Sequence, residues 1–142
     1  MKVLLDTNVL MDQCAVRQPR YAQARELWEL NKTGRITAFI SSSSFTDLFY
    51  ICSKTVGLKQ ARASIELCLG HLEICNVRRD ELELAAGLKG EDFEDNLQII
   101  CAEAYKLQAI VSRDTTGFKD SPIEVLTPIE ILARLNLQSK QE

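Results

Sequence analysis

Five short runs rich in aliphatic and β-branched residues, at 2–6 (KVLLD), 36–40 (ITAFI), 72–77 (LEICNV), 109–112 (AIVS) and 123–126, are separated by segments whose apolar residues recur at helical spacing. That alternation constrains the fold most, because strands interleaved with helices build a layered α/β sandwich around a mostly parallel sheet. After Pro19, a stripe of Ala22, Leu27, Trp28 and Leu30 marks one helix, with Trp28 as a core or interface anchor. Phe45, Leu48, Phe49 and Cys52 fall at i, i+3, i+4 and i+7, with Gly57 as the stop. Leu58, Ala61, Ile65 and Leu69 form a second stripe that ends at Gly70, and a short helix is expected over 79–88. The strongest helical pattern is 92–107, with Leu97, Ile100, Cys101, Ala104 and Leu107 on one face. Thr127-Pro128-Ile129-Glu130 reads as a capping box with proline at the first helical position, opening a last helix through Leu135. The expectation is a single domain over 1–136 and a polar tail over 137–142.

Composition limits the partners. The 142 residues suffice to bury a core without disulfides or metal staples. With 17 basic and 20 acidic residues, net −3, no global positive field advertises a polyanion, so any such partner needs cations supplied locally. The five cysteines (14, 52, 68, 75 and 101) are odd in number and form no C-x-x-C pair, as buried thiols of a reducing cytosol would. His71, the one histidine, follows Gly70 at an expected helix end, which leaves neither a zinc site nor a histidine-activated nucleophile. Lys2 is followed by only three apolar residues before Asp6, too few for a signal peptide, and no run approaches the ~20 residues of a membrane span. A cytoplasmic protein without membrane partners is expected.

The first run ends on a carboxylate, and others reach the same place. In a parallel α/β sheet, ligands bind beyond the carboxyl ends of the strands. Asp6 ends the first strand there, and Asp114 lies just past AIVS. Asp95 is in the first turn of the helix feeding that strand, and Asp47 in the first turns of the helix after ITAFI; both helix starts fall at that same edge. Singly, each acid has a plain structural role. Asp6 with Asn8 can end a strand in a side-chain turn, Asp92 can cap the helix that carries Asp95, and Asp114 can open the Thr115–Gly117 turn. Four such acids at one edge repel one another unless a cation joins them. Oxygen donors without histidine or thiolate suit Mg²⁺ or Mn²⁺, and such a site fits phosphodiester hydrolysis. A haloacid-dehalogenase phosphatase would need an aspartate where Asn8 stands, the acidic pair and phosphoacceptor of a receiver domain are not evident, and glycine-rich phosphate loops are absent.

LLDTNVLMD, SSSSFTDLFYI, DFEDNLQIICAEAY and AIVSRDTTGF, in that order, resemble the PIN-domain ribonucleases, and within them the VapC-like group. The resemblance implies a Rossmann-like three-layer α/β/α domain and a Mg²⁺- or Mn²⁺-dependent endoribonuclease. By the same resemblance Asp6 and Asp95 are metal ligands and Asp114 is a further ligand where some relatives have asparagine. Asp47 stands where glutamate is commoner, its shorter side chain reaching metal through water. Thr7 or Asn8 would bind metal water or phosphate, Ser112 supplies a small hydroxyl, and Asp92 is a helix cap, with a place in the ion's outer shell as the alternative. VapC-like proteins are usually dimeric toxins covered by a small antitoxin, which implies those partners here.

For the RNA, single-stranded or looped, Arg113 is the foremost phosphate contact, with Lys54, Arg78, Arg79 and Lys119 behind it. Apolar side chains around Phe45, Phe49 and Tyr50 and along Leu58–Leu69 could serve core or interface. Two alternatives share the fold: a non-catalytic RNA- or protein-binding module, and a nuclease, RNA-processing or DNA-directed, outside any toxin–antitoxin pair.

Overall fold

The computed structural model describes residues 1–141. Its strands are β1 (Lys2–Leu5), β2 (Thr37–Ser41), β3 (Glu73–Cys75), β4 (Ala109–Val111) and β5 (Glu124–Leu126). Its helices are α1 (Thr7–Cys14), α2 (Tyr21–Lys32), α3 (Phe45–Val56), α4 (Leu58–His71), α5 (Arg79–Ala86), α6 (Phe93–Ala104) and α7 (Pro128–Gln141), with 3₁₀ turns at Ser42–Ser44 and Thr116–Phe118. The strands pair in the order β3-β2-β1-β4-β5, every pair parallel.

Both faces of this sheet are covered, which is why its inner strands read as unbroken apolar runs rather than alternating ones. Val3, Leu5, Ala38, Ile40, Ala109 and Val111 face one core layer, closed by α1 to α4 and α7. Leu4, Phe39, Cys75 and Ile110 face the other, closed by α5 and α6. The result is the expected three-layer α/β/α sandwich. All five cysteines are buried free thiols. Among the described residues, no helix is long and apolar enough to cross a membrane.

Gly57 ends α3 with φ 91°, a left-handed conformation that glycine adopts without strain. The Thr127–Glu130 box forms as expected: the Glu130 carboxylate accepts from the Thr127 N–H and the Thr127 hydroxyl from the Glu130 N–H, both at 3.2 Å. Other expectations shift. The inward face of α2 uses Ala24 while Ala22 is exposed. Helix α4 turns Ala61, Ser64 and Cys68 inward, leaves Leu58 and Leu69 outside, and runs through Gly70 to His71, an exposed imidazole edge-on to Trp28. Ala104 of α6 is exposed, and the helix stops there as Lys106 turns to φ 55°. The last helix continues beyond Leu135 to Gln141, so most of the expected tail is helical; Glu142, its final residue, lies outside the described residues.

Helix α1 is the element with no signature in the sequence. Val9, Leu10, Met11, Asp12 and Cys14 are all buried, so no polar face contrasts with an apolar stripe. The Asp6 side chain caps it by accepting from the Thr7 N–H, so the residue that ends β1 also starts the helix.

Candidate active site

The β1–β4 register sets Leu5 beside Val111, so Asp6 and Ser112 leave the sheet side by side at its carboxyl edge. The Asp6 carboxylate is buried and held by three donors. Its Oδ1 accepts from the Thr7 N–H (2.7 Å) and from Gln98 Nε2 (3.0 Å), and its Oδ2 accepts from the Ser112 hydroxyl (2.7 Å). Ser112 in turn accepts from the Asp114 N–H (3.2 Å) and from Asn8 Nδ2 (3.3 Å).

The other acids arrive as topology requires. Asp47 stands in the first turn of α3, which follows β2 through the Ser42–Ser44 turn. Asp92 caps α6, its Oδ1 accepting from the Asp95 N–H at 3.0 Å. Asp6, Asp47, Asp92, Glu94, Asp95 and Asp114 line one crevice of about 330 Å³, together with Thr7 and Asn8. Expected site residues that sequence reasoning left with a free hand are already engaged. The Thr7 hydroxyl donates to Glu94 Oε1 (3.0 Å), and Asn8 Oδ1 accepts from the Arg113 N–H (3.2 Å). Arg113 itself is ion-paired to Asp12, Nε to Oδ2 at 2.9 Å. The other basic candidates lie off this crevice. Lys54 is in the last turn of α3 over the Tyr50 ring, Arg78 precedes α5 and Arg79 pairs with Glu83. Lys119 lines a neighbouring cavity of about 920 Å³ that shares Asp92, Asp95 and Asp114 with the crevice and also carries Lys89.

Four contributors escaped the sequence reading. Glu94 was hidden between Asp92 and Asp95, although two acids at the start of one helix invite a third. Gln98 lies one turn after Asp95 on the same face, a spacing that was available as a signal. Asp12 had none, since its helix was not recognised. Gly117 approaches so closely that a Cβ there would stand 2.1 Å from Asp95 Oδ2.

Crowding shows in the acids' proton affinity. Burial pushes Glu94 up to about 7; the Thr7 hydroxyl opposes this, and the Asp47 carboxylate, which accepts from the protonated form, and the charges of Asp47 and Asp6 add to it. Burial raises Asp95 to about 6, with Asp92, Asp6 and Asp114 adding to the rise. Exposed Asp114 moves the other way, held low by the Thr116 hydroxyl and N–H. Raised folded-state values mean that the folded chain binds more protons than the unfolded one between the ordinary carboxylate range and about 7. These two groups therefore favour folding at low pH, and that contribution is lost as pH rises through about 6 to 7. In chelator, their effect is expected to make the melting temperature higher at pH 5.5 than at pH 8. A divalent ion should narrow that gap, which thermal melts at both values will measure.

All-oxygen donors, mutual repulsion and one lining cation among the described residues, Arg17, fit a hard divalent ion. No three of the described His, Cys, Asp or Glu side chains already stand close enough together to enclose one. Internal partners restrain the donors: Asp6 on Gln98 and Ser112, Asp114 on Thr116, Glu94 on Thr7.

A family model described as PIN domain matches residues 2–116. No curated protein matches the chain at a significant level. Among solved structures, VapC20 of Mycobacterium tuberculosis, a sarcin–ricin-loop-cleaving toxin, superposes with a TM-score of 0.71 at 15% identity, covering 87% of this chain and 98% of its own. VapBC of Salmonella typhimurium, solved bound to DNA, gives 0.69 at 20% identity, over 90% and 98%. VapBC2 of Rickettsia felis, bound to a promoter DNA fragment, gives 0.67 at 24% identity, over 89% and 98%. At these identities the likeness establishes a shared fold.

Proposed function

This chain belongs to the PIN-domain family, and we propose that it is a metal-dependent endoribonuclease acting as the toxin of a toxin–antitoxin pair. The observation that carries the reading is the convergence of six carboxylates on one crevice at the carboxyl edge of the sheet, where a single arginine is the lining cation among the described residues. A non-catalytic module would have no use for that repulsion. Asp6, Asp95 and Asp114 would hold Mg²⁺ or Mn²⁺, with Asp47, Glu94 and Asp92 contributing through water. When bound, such an ion activates a water and offsets charge on the scissile phosphate.

The chain's own part is positioning. Gln98, Thr7 and Ser112 fix both oxygens of Asp6 before any ion arrives, so no side-chain ordering is left to be done there. The crevice shares Asp92, Asp95 and Asp114 with the larger cavity that carries Lys89 and Lys119, and a single strand would lie along the two. Exposed Tyr50, Leu58, Leu67 and Leu69 on α3 and α4 offer apolar area for an antitoxin or a second copy. The relatives solved as toxin–antitoxin complexes favour those partners, and the free thiols favour the cytoplasm.

The test is cleavage of a mixed RNA pool by purified protein in Mg²⁺ or Mn²⁺ against a chelator control. Metal-dependent cutting supports the reading; inactivity on RNA and DNA with an intact fold would favour the binding module instead. Gln98 provides a finer check. Gln98→Leu keeps the volume but frees Asp6 Oδ1 of its buried partner, and a lost second-sphere bond of this kind costs about tenfold in metal affinity. Calorimetric titration with Mn²⁺ should show that weakening, and unchanged affinity would mean that Gln98 does not orient Asp6.

A further inference from the structure

We propose that Asp12 builds a two-arginine clamp, Arg17 and Arg113, which holds a backbone phosphate of the nucleic-acid strand at the rim of the acidic crevice. The clamp rests on the nuclease reading and supplies what that reading lacks, a cation at an otherwise acidic site.

Asp12 is 2% exposed on a helix whose neighbouring side chains, Val9, Leu10 and Met11, are apolar. A carboxylate in such surroundings needs a partner, and one arginine would suffice. Two arrive from separate parts of the chain. Arg17, three residues beyond α1, sets Nε 3.2 Å from Oδ1, and Arg113, from the loop after β4, sets Nε 2.9 Å from Oδ2. The trio therefore keeps a net positive charge.

The mode of pairing is informative. Arg17 hydrogen-bonds Asp12 through Nε, the inner nitrogen, and Arg113 comes nearest through Nε without a hydrogen bond, so neither presents to it the outer fork that gives bidentate carboxylate pairs. Among the described residues, neither guanidinium donates a hydrogen bond from a terminal nitrogen to a protein acceptor, and the side chains are 35% and 27% exposed. The outer nitrogens of each are free for a ligand, and that fork matches phosphate oxygens.

Position supplies the rest. Arg17 lines the crevice with the acids, yet its ion pair among the described residues is with Asp12 and with none of them, so neutralising that cluster is not its role. Arg113 directly precedes Asp114, and its N–H is tied to Asn8 at the crevice wall. The chain accepts strain to bring Arg17 there. Val16 adopts φ 51°, a left-handed conformation that costs a β-branched residue, and the turn returns the Arg17 N–H to the Asp12 carbonyl at 3.1 Å.

The experiment measures fluorescence anisotropy of a labelled single-stranded RNA of mixed sequence in Mg²⁺, using an Asp95→Asn background so that the probe survives. Arg17→Gln and Arg113→Gln should each weaken binding about threefold to tenfold and flatten the dependence of log affinity on log salt by about 0.7, the share of one phosphate on a single strand. Arg17→Lys should retain the salt slope, because its charge remains. Asp12→Asn should weaken binding as either arginine variant does; if it fails to fold, the arginine variants decide alone. The same losses on a matched DNA strand also support the clamp, which reads phosphate and not the 2′-hydroxyl. Parental affinity and slope in both glutamine variants would overturn it, and if the wild-type chain still cuts RNA the nuclease reading survives that failure. A chain that neither cuts nor binds RNA loses both.

Discussion

Asp6→Asn is expected to lower metal-dependent RNA cleavage by at least about a hundredfold, because a bound ion is worth several kcal/mol in the transition state and each tenfold in rate is about 1.4. The fold should survive, and the hydrogen bonds say why. The amide oxygen can keep the bonds from the Thr7 N–H and Gln98 Nε2 at the Oδ1 position. The amide nitrogen then faces the Ser112 hydroxyl, which can turn its own proton to the Asp114 carbonyl, 3.0 Å away, and accept the amide in place of the longer bond from Asn8. The displaced Asn8 donor and the second amide N–H carry a small cost, which the removal of one charge from a crowded cluster offsets. Without metal the variant should melt at or above the wild-type temperature, whereas the rise that Mn²⁺ gives the wild type should largely vanish. Activity near the wild-type rate would remove Asp6 from the site and the acid-centred mechanism with it.

The sequence carried the site's topology better than its internal bonds. That Asp6 and Asp114 share an edge follows from β1 and β4 lying side by side, and the register joins them as that reading required. Asp47 and Asp95 reach the crevice because each helix start adjoins a strand's carboxyl end. The Asp92 cap was equally legible, since capping is local and depends on three residues of spacing. What escaped depends on burial, which no short window reveals. Helix α1 is enclosed, so no local pattern singles out Asp12, the buried anchor of two arginines. The pairing of Arg113 with Asp12 is hidden for the same reason. Helix ends misled where apolar residues stay outside, as Leu58 and Leu69 do, because spacing alone cannot tell a core-facing stripe from a surface one.

Gly117 joins those two levels, and Gly117→Ala is expected to cost about a hundredfold in cleavage with little change in stability, since a displacement of about 1 Å in a reacting site has that scale of effect. Gly117 does not use a left-handed backbone, so alanine can take its conformation, and the smaller unfolded-state entropy favours it by about 0.4–1 kcal/mol. Space is the obstacle. The new Cβ would lie 2.1 Å from Asp95 Oδ2, and 3.1 Å from the carbon that bears it. The loop cannot retreat easily, because Phe118, the next residue, is 2% exposed in the second core layer. The carboxylate is the mobile party, and it must swing away from Asp114 and Asp6. Gly70→Ala, in the last turn of α4 with nothing within 4 Å of its Cβ, serves as the control. It should lose no stability and cut at the wild-type rate. If Gly117→Ala also cuts at the wild-type rate and binds Mn²⁺ as tightly, the placement of the Asp95 carboxylate is irrelevant to the reaction. Weaker Mn²⁺ binding and slower cutting with the melting temperature held would tie that carboxylate to the ion, because a general loss of packing would have lowered all three.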